Sequence, residues 1–384
     1  MAIYFDHNAG SPLDKRVLEA MLPYLQEQQG NPSSVHRYGR IAKEAIEQAR
    51  IQVATLIHAD PAQVIFTSGG TEANNLALFG VMGSHPNGRL AISAIEHSSI
   101  QEPAFALRTR GVEVTEIKVD FHGKITISNL ERALYPNNQL VSVMWASNET
   151  GVLQEIFAIS EYARSRGSLF HTDAVQAIGK VPIDFHRSGA HLMSISAHKM
   201  GGPKGVGALV VDSHLDIVPL LLGGGQEKGL RSGTENVAAI VGFGKAAELA
   251  SVEIDQRRKE WFQLREHFER SLQLQLPEAV IFGSGTERLP NTVFFAVPKI
   301  EGETLLMALD KAGIGVSSGS ACGSGNHQPS HVLLAMGITP ELAQGAIRVS
   351  IGVGNTLSQV DELLVVLKNQ IERFQQILLR SAAW

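Results

Sequence analysis

The chain has 384 residues, 44 % hydrophobic and 18 % charged, the balance of a globular protein with ample material for a core. Its length suits two domains, and a formal net charge of -5 gives no electrostatic case for nucleic acid or an anionic membrane. One cysteine excludes an intrachain disulfide and suits a reducing, cytoplasmic compartment. The start MAIYFDHNAG lacks signal-peptide character, and no apolar stretch is long enough to span a bilayer.

Ile3-Tyr4-Phe5 opens the chain with strand character and could belong to either part. From about residue 15 to 250, short apolar runs alternate with amphipathic stretches. Strands are predicted over 64–66, 90–92, 112–114, 141–144, 168–170, 192–195 and 207–211, and helices over 36–57, 71–82 and 155–166. This alternation predicts a mostly parallel sheet with helices on both faces, which explains the nearly all-apolar strands. After about residue 250 the texture changes. A charged helix over 252–275 leads into strand-like segments at 280–282, 291–297, 314–318 and 346–350, with helices over 302–312 and 357–379. The expected division is a large α/β domain over 15–250 and a smaller α/β domain made from 1–14 and 251–384.

Ligands in open α/β sheets bind beyond the carboxyl ends of the strands. Five successive predicted strand ends carry polar residues: Thr67 to Asn75, Glu96 to Ser99, Ser147 to Gly151, His171 to Gln176 and Ser196 to Lys199. Lys199 follows a strand and precedes Gly201-Gly202-Pro203, a place suited to a lysine that bonds the aldehyde of pyridoxal 5'-phosphate (PLP). A plain loop lysine fits the same pattern. Asp173 stands where a carboxylate could keep the cofactor's pyridine nitrogen protonated, and equally where a helix N-cap would stand. Gln176, three residues on, could donate to the phenolic oxygen. Gly69-Gly70-Thr71 opens a helix, and a helix N-terminus favours phosphate. His97 could stack on a flat ring or carry a proton, or be structural.

Cys322 lies among small polar residues, Ser317-Ser318-Gly319-Ser320-Ala321-Cys322-Gly323-Ser324-Gly325, a setting that suits an exposed nucleophilic thiol or an incidental cysteine in a glycine turn. Arg348, in Ala346-Ile347-Arg348-Val349-Ser350, needs a partner among apolar neighbours: a substrate carboxylate or an internal acid. No histidine spacing suits a metal. Gly242-Phe243-Gly244 imitates a dinucleotide fingerprint, but it lies within a helical pattern and reads as close helix packing.

Taken together, these residues resemble the cysteine desulfurases of class-V aminotransferase type, the group that includes the nitrogen-fixation and housekeeping iron–sulfur enzymes. The resemblance runs from Tyr4-Phe5-Asp6-His7-Asn8-Ala9 and Gly30-Asn31-Pro32-Ser33-Ser34 to Ile347-Arg348-Val349-Ser350, with Ser-Gly-Ser-Ala-Cys as its most specific mark. It implies a fold-type-I PLP-dependent transferase of the subgroup with a long cysteine loop. By position, Lys199 would hold PLP, Asp173 its pyridine nitrogen and Gln176 its phenolic oxygen. His97 would stack on the ring and assist proton transfer. Gly70, Thr71, Ser196 and His198 would hold the phosphate, and Thr234 would reach the phosphate of the other subunit of a homodimer. Asn148 and Arg348 would bind the carboxylate of L-cysteine. Cys322 would take the sulfur as a persulfide, leaving alanine.

Three departures stand out. Gly10-Ser11 replaces two threonines, the cysteine loop is richer in glycine, and the C-terminus lacks the extended tail that housekeeping members use on a scaffold. An iron–sulfur scaffold protein is the expected acceptor, with tRNA thiolation and DNA sulfur modification as other destinations. Other readings are a further fold-type-I enzyme, such as an aminotransferase or a selenocysteine lyase, and a non-catalytic sulfur-relay protein. An aminotransferase would not need the loop thiol. A relay protein would not need Lys199, Asp173, His97 and Arg348 together.

Overall fold

The apolar runs of the first 211 residues become the strands of one sheet. The structure, a computed structural model, describes residues 2–135, 138–318 and 328–381. After β1 (Ile3–Tyr4) come β2 (Val64–Thr67), β3 (Arg89–Ser93), β4 (Glu113–Ile117), β5 (Asn138–Ser142), β6 (Leu169–Asp173), β7 (Leu192–Ser196) and β8 (Gly207–Val211). The seven strands from β2 onward lie in the order β2-β8-β7-β6-β5-β3-β4. Strand β8 is antiparallel to both neighbours, and the other pairs are parallel.

Successive strand residues point to opposite faces, and the two faces have separate cores. Phe66, Val141 and Val210 join one cluster, while Ile65, Leu140 and Leu209 join another. The helices that cover these faces are α1 (Lys15–Gln26), α2 (Arg37–Leu56), α3 (Gly70–Met82), α4 (Ser98–Thr109), α5 (Ile127–Ala133), α6 (Ile156–Ser165), α7 (Phe185–Ser188) and α8 (Val237–Gln275). The mostly parallel sheet with helices is the architecture expected from the alternation.

Two strands differ in extent from the apolar runs. The edge strand β4 extends to residue 117 rather than ending at 114, because an edge tolerates the exposed Glu113 and Glu116. Strand β5 begins at the buried polar Asn138, before the apolar run at 141–144. Helix α8 begins at Val237 rather than 252, with the Asn236 side chain accepting from Ala239 N. It runs through Gly242 and Gly244 and across position 250. A Cβ at Gly244 would lie 2.6 Å from Ala49 Cα, and one at Gly242 would lie 2.6 Å from Met21 Sδ. The imitation fingerprint is therefore a packing device that lets α1 and α2 approach α8.

Beyond α8 lie β9 (Val280–Ile281), β10 (Thr292–Ala296), β11 (Ile314–Gly315), β12 (Ser317–Ser318) and β13 (Ala346–Ser350). Four of them form an antiparallel sheet in the order β12-β13-β10-β9. Its core holds Phe268 and Leu272 of α8, Phe295, Ile347, Val349 and, from the N-terminus, Ile3 and Phe5. Strand β1 pairs with β11 in parallel, and Asp6 bridges to Ser350. The segment after β1 thus passes between the two sheets. Among the described residues, no helix is long and apolar enough to cross a membrane.

Candidate active site

The turn from β2 into α3 is shaped by close backbone approach. A Cβ at Gly207 would sit 2.7 Å from the Gly69 carbonyl carbon, and a Cβ at Gly70 would sit 2.7 Å from Val175 Cγ2. Only glycine fits either position without a shift of its neighbours. The first turn of α3 leaves backbone N–H groups without helical acceptors. Ser196 is beside this turn, with its Cβ 3.7 Å from that built Gly70 Cβ, and its hydroxyl meets His198 Nδ1 at 2.8 Å. Burial, with Lys199 and Lys204 nearby, lowers the His198 imidazole to about 4, so it is neutral at pH 7.

At the end of β6, the buried Asp173 carboxylate accepts from Val175 N at 2.9 Å through Oδ1 and from Asn74 Nδ2 at 2.8 Å through Oδ2. Asn74 Nδ2 also donates to Ser99 Oγ at 2.8 Å. Ser99 Oγ lies 2.7 Å from His97 Nδ1, which also accepts from Ser99 N at 3.1 Å. With Nδ1 accepting, the proton of the neutral ring is on Nε2. Burial lowers the His97 pKa, helped by the Lys199 charge and opposed by Asp173. Beneath this row, Glu96 is fully buried, and its Oε1 accepts from Met144 N at 2.6 Å. Burial and then the Asp173 charge raise its carboxyl well above the usual range.

Lys199 closes the short helical turn after β7. Its Nζ donates to Asn8 O at 2.6 Å and Ala9 O at 2.9 Å. Gln176 Nε2 donates to the same Asn8 carbonyl at 3.0 Å. Asn8 is itself tied to the small sheet, with Nδ2 donating to Thr292 Oγ1 at 2.9 Å and its backbone N donating to Ser350 Oγ at 3.0 Å. Arg348, in β13, donates to Asn148 O at 2.9 Å and to Asp6 Oδ1 at 2.8 Å, while its buried Nε has no partner among the described residues. Next to Asn148, burial pushes Glu149 up to about 7, against the Ser330 hydroxyl that donates to it and the Arg348 charge.

A cavity of about 190 Å³ brings together Gly70, Thr71, His97, Asn148, Asp173, Gln176, His198 and Lys199. Ser196 and Arg348 stand directly behind it, through His198 and Asn148 respectively. Thr234 is exposed and outside this cavity. Cys322 lies outside the described residues. Lys199 also borders a larger cavity of about 340 Å³ with Trp261, Arg257 and Leu13. The smaller cavity is the candidate site, because it alone joins the lysine to a buried carboxylate and a glycine-tipped helix.

Asn8, Asn74, Ser99, Glu96 and Lys180 were not singled out individually from the sequence. Asn74, Glu96 and Ser99 fall within the polar strand-end segments, and Asn74 follows Thr71 at the spacing that shares a helix face. Among the described residues, no group of histidine, cysteine and carboxylate side chains could hold a metal ion.

The chain is similar to known proteins along nearly its whole length. The family model described as aminotransferase class-V matches residues 3–363. The cysteine desulfurase IscS of Dictyoglomus turgidum is 42 % identical over 388 residues, spanning 100 % of this chain and 98 % of that protein. A solved NifS-like protein superposes with a TM-score of 0.91 at 36 % identity, over 97 % of this chain and 100 % of that one. SspA in complex with cysteine superposes at 0.81 with 32 % identity, over 91 % and 98 % of the two chains. The chain belongs to the class-V aminotransferase family and, within it, to the cysteine desulfurases.

Proposed function

We propose that this chain binds PLP and converts L-cysteine to L-alanine, with the sulfur held as a persulfide on Cys322 and passed to an acceptor. One observation carries the cofactor reading: the Lys199 amine, the buried Asp173 carboxylate and the glycine-tipped N-terminus of α3 border one cavity. They offer an amine for an aldehyde, an anion for a pyridinium and backbone donors for a phosphate. Gly70, Thr71, Ser196 and His198 would hold the phosphate, and Gln176 would donate to the phenolic oxygen. When bound, PLP supplies an electron sink for the Cα carbanion.

The chain's own groups do the rest. Asp173, pinned by Asn74 and Val175, keeps its charge aimed at one nitrogen. His97 is held neutral with Nε2 protonated, so it presents a flat ring and one movable proton. Arg348 and Asn148 bind the substrate carboxylate. Each terminal guanidinium nitrogen carries a second hydrogen beyond the bonds to Asp6 and Asn148, and these can meet it. Lys199 takes the Cα proton. The Cys322 thiolate attacks the substrate sulfur, an S–S bond forms, and the Cβ–S bond breaks with its electron pair left on carbon. Protonation of that carbon and return of a proton to Cα give alanine.

The same reading assigns residues 15–250 to a cofactor-binding domain and 1–14 with 251–384 to a small domain carrying the cysteine loop. It includes a homodimer in which the exposed Thr234 completes the partner's phosphate site. The acceptor proposed is an iron–sulfur scaffold protein, and the single thiol suits a reducing cytoplasm. The cofactor test is direct. Protein loaded with PLP and reduced with borohydride should carry the pyridoxyl group on the peptide containing Lys199. A label on another lysine, or none, contradicts the assignment.

A further inference from the structure

Lys180 is only 2 % exposed, and its ammonium has no carboxylate partner among the described residues. Its Nζ donates to Asn8 Oδ1 at 2.7 Å and to Gln176 Oε1 at 2.8 Å. The charges acting on it, Lys199 and Arg348, are both cations. A buried lysine without a counter-ion is costly, and a methionine of similar length would fill the space without that cost. Its donors impose something an apolar side chain could not. Because both amide oxygens turn toward Nζ, both amide nitrogens must turn away from it. Asn8 Nδ2 is thereby aimed at Thr292 Oγ1, an orientation Asn291 Nδ2 also supports by donating to Asn8 Oδ1 at 3.2 Å, and Gln176 Nε2 at the Asn8 carbonyl that also receives Lys199 Nζ.

We propose that Lys180 is a positioning residue that fixes the Asn8 and Gln176 amides, and through Asn8 the seat of the Lys199 amine. For the cofactor, this deepens the reading above and rests on it: the Gln176 NH2 group, not its oxygen, is presented to an anionic phenolic oxygen. The Lys180 charge acts on the Lys199 amine as well, against the Asn8 carbonyl, which favours the ammonium form. Burial, with the Lys199 and Arg348 charges, depresses the Lys180 amine, and Lys180 opposes the Lys199 charge in return. The imidazoles of His7 and His198 feel the same cation.

The test compares wild type with Lys180→Met, and with Lys180→Gln as a second variant should the first not fold. Competitive acetylation of cofactor-free protein across pH, read by peptide mass, reports the proton affinity of Lys199. The midpoint should rise by about one pH unit in either variant, a roughly tenfold gain in proton affinity. In PLP-loaded protein, the pH midpoint of the visible absorbance band should rise as well. A lower melting temperature with both midpoints unchanged would make Lys180 a structural residue only and overturn the proposal. The acetylation readout needs no cofactor, so a wild type that fails to bind PLP would sink the functional reading while still deciding the role of Lys180.

Discussion

At the scale of single residues, the site rests on buried polar groups whose partners are countable. Asp173 receives two donors, and an asparagine there offers one oxygen and one amide. Asp173→Asn must therefore leave Asn74 Nδ2 or Val175 N facing a donor, at a cost of about 1–3 kcal/mol in the cofactor-free protein. Urea unfolding measures this, and an unchanged midpoint would contradict the pairing. Glu149 gives a pH signature. Its carboxyl rises from 4.5 to about 7 on folding, so between those values the folded state binds more protons than the unfolded state. Its contribution is fully present below pH 4.5 and is lost as pH rises through about 7, up to about 3 kcal/mol. Glu149→Gln keeps an acceptor for Ser330 but cannot ionise, so its stability relative to wild type should grow from pH 5 to pH 8. A flat difference across that range would contradict the assignment.

At the scale of elements, close packing replaces side chains at two places: α8 against α1 and α2, and the β2–α3 turn against β8. Gly244→Ala should cost about 1–3 kcal/mol by denaturant unfolding, because the added carbon meets Ala49 in the neighbouring helix. Val252→Ala, at a strongly exposed position on the same helix, should stay within ~0.5 kcal/mol. Equal effects at the two positions would refute the packing account. Apolar runs made β2 and β8 legible from sequence, because these strands are buried on both faces. They misplaced β4, whose outer residues are charged at an edge, and β5, which starts at a buried asparagine. Lys199, Asp173 and His97 were legible because strand ends in such sheets collect ligand groups. Asn8 and Lys180 were not, because their contact spans 172 residues and no local pattern marks it.

At the scale of the whole molecule, two sheets meet across the N-terminal segment, and Asn8 bonds to Thr292 and Ser350 of the small sheet and to Asn148 and Gln176, which follow strands of the large one. Light scattering should give twice the chain mass if Thr234 completes a partner's site, and a monomer that is active at high dilution would refute that arrangement. The central claim is that the Cys322 thiol accepts sulfur from a substrate bound in the cleft. The most direct measurement is alanine formation from L-cysteine by the PLP-loaded protein, run beside Cys322→Ser. Wild type should release alanine and carry a persulfide on Cys322, while the variant should bind PLP normally and lose nearly all turnover. A variant that matched wild type would contradict the account, because sulfur would then leave the substrate without Cys322.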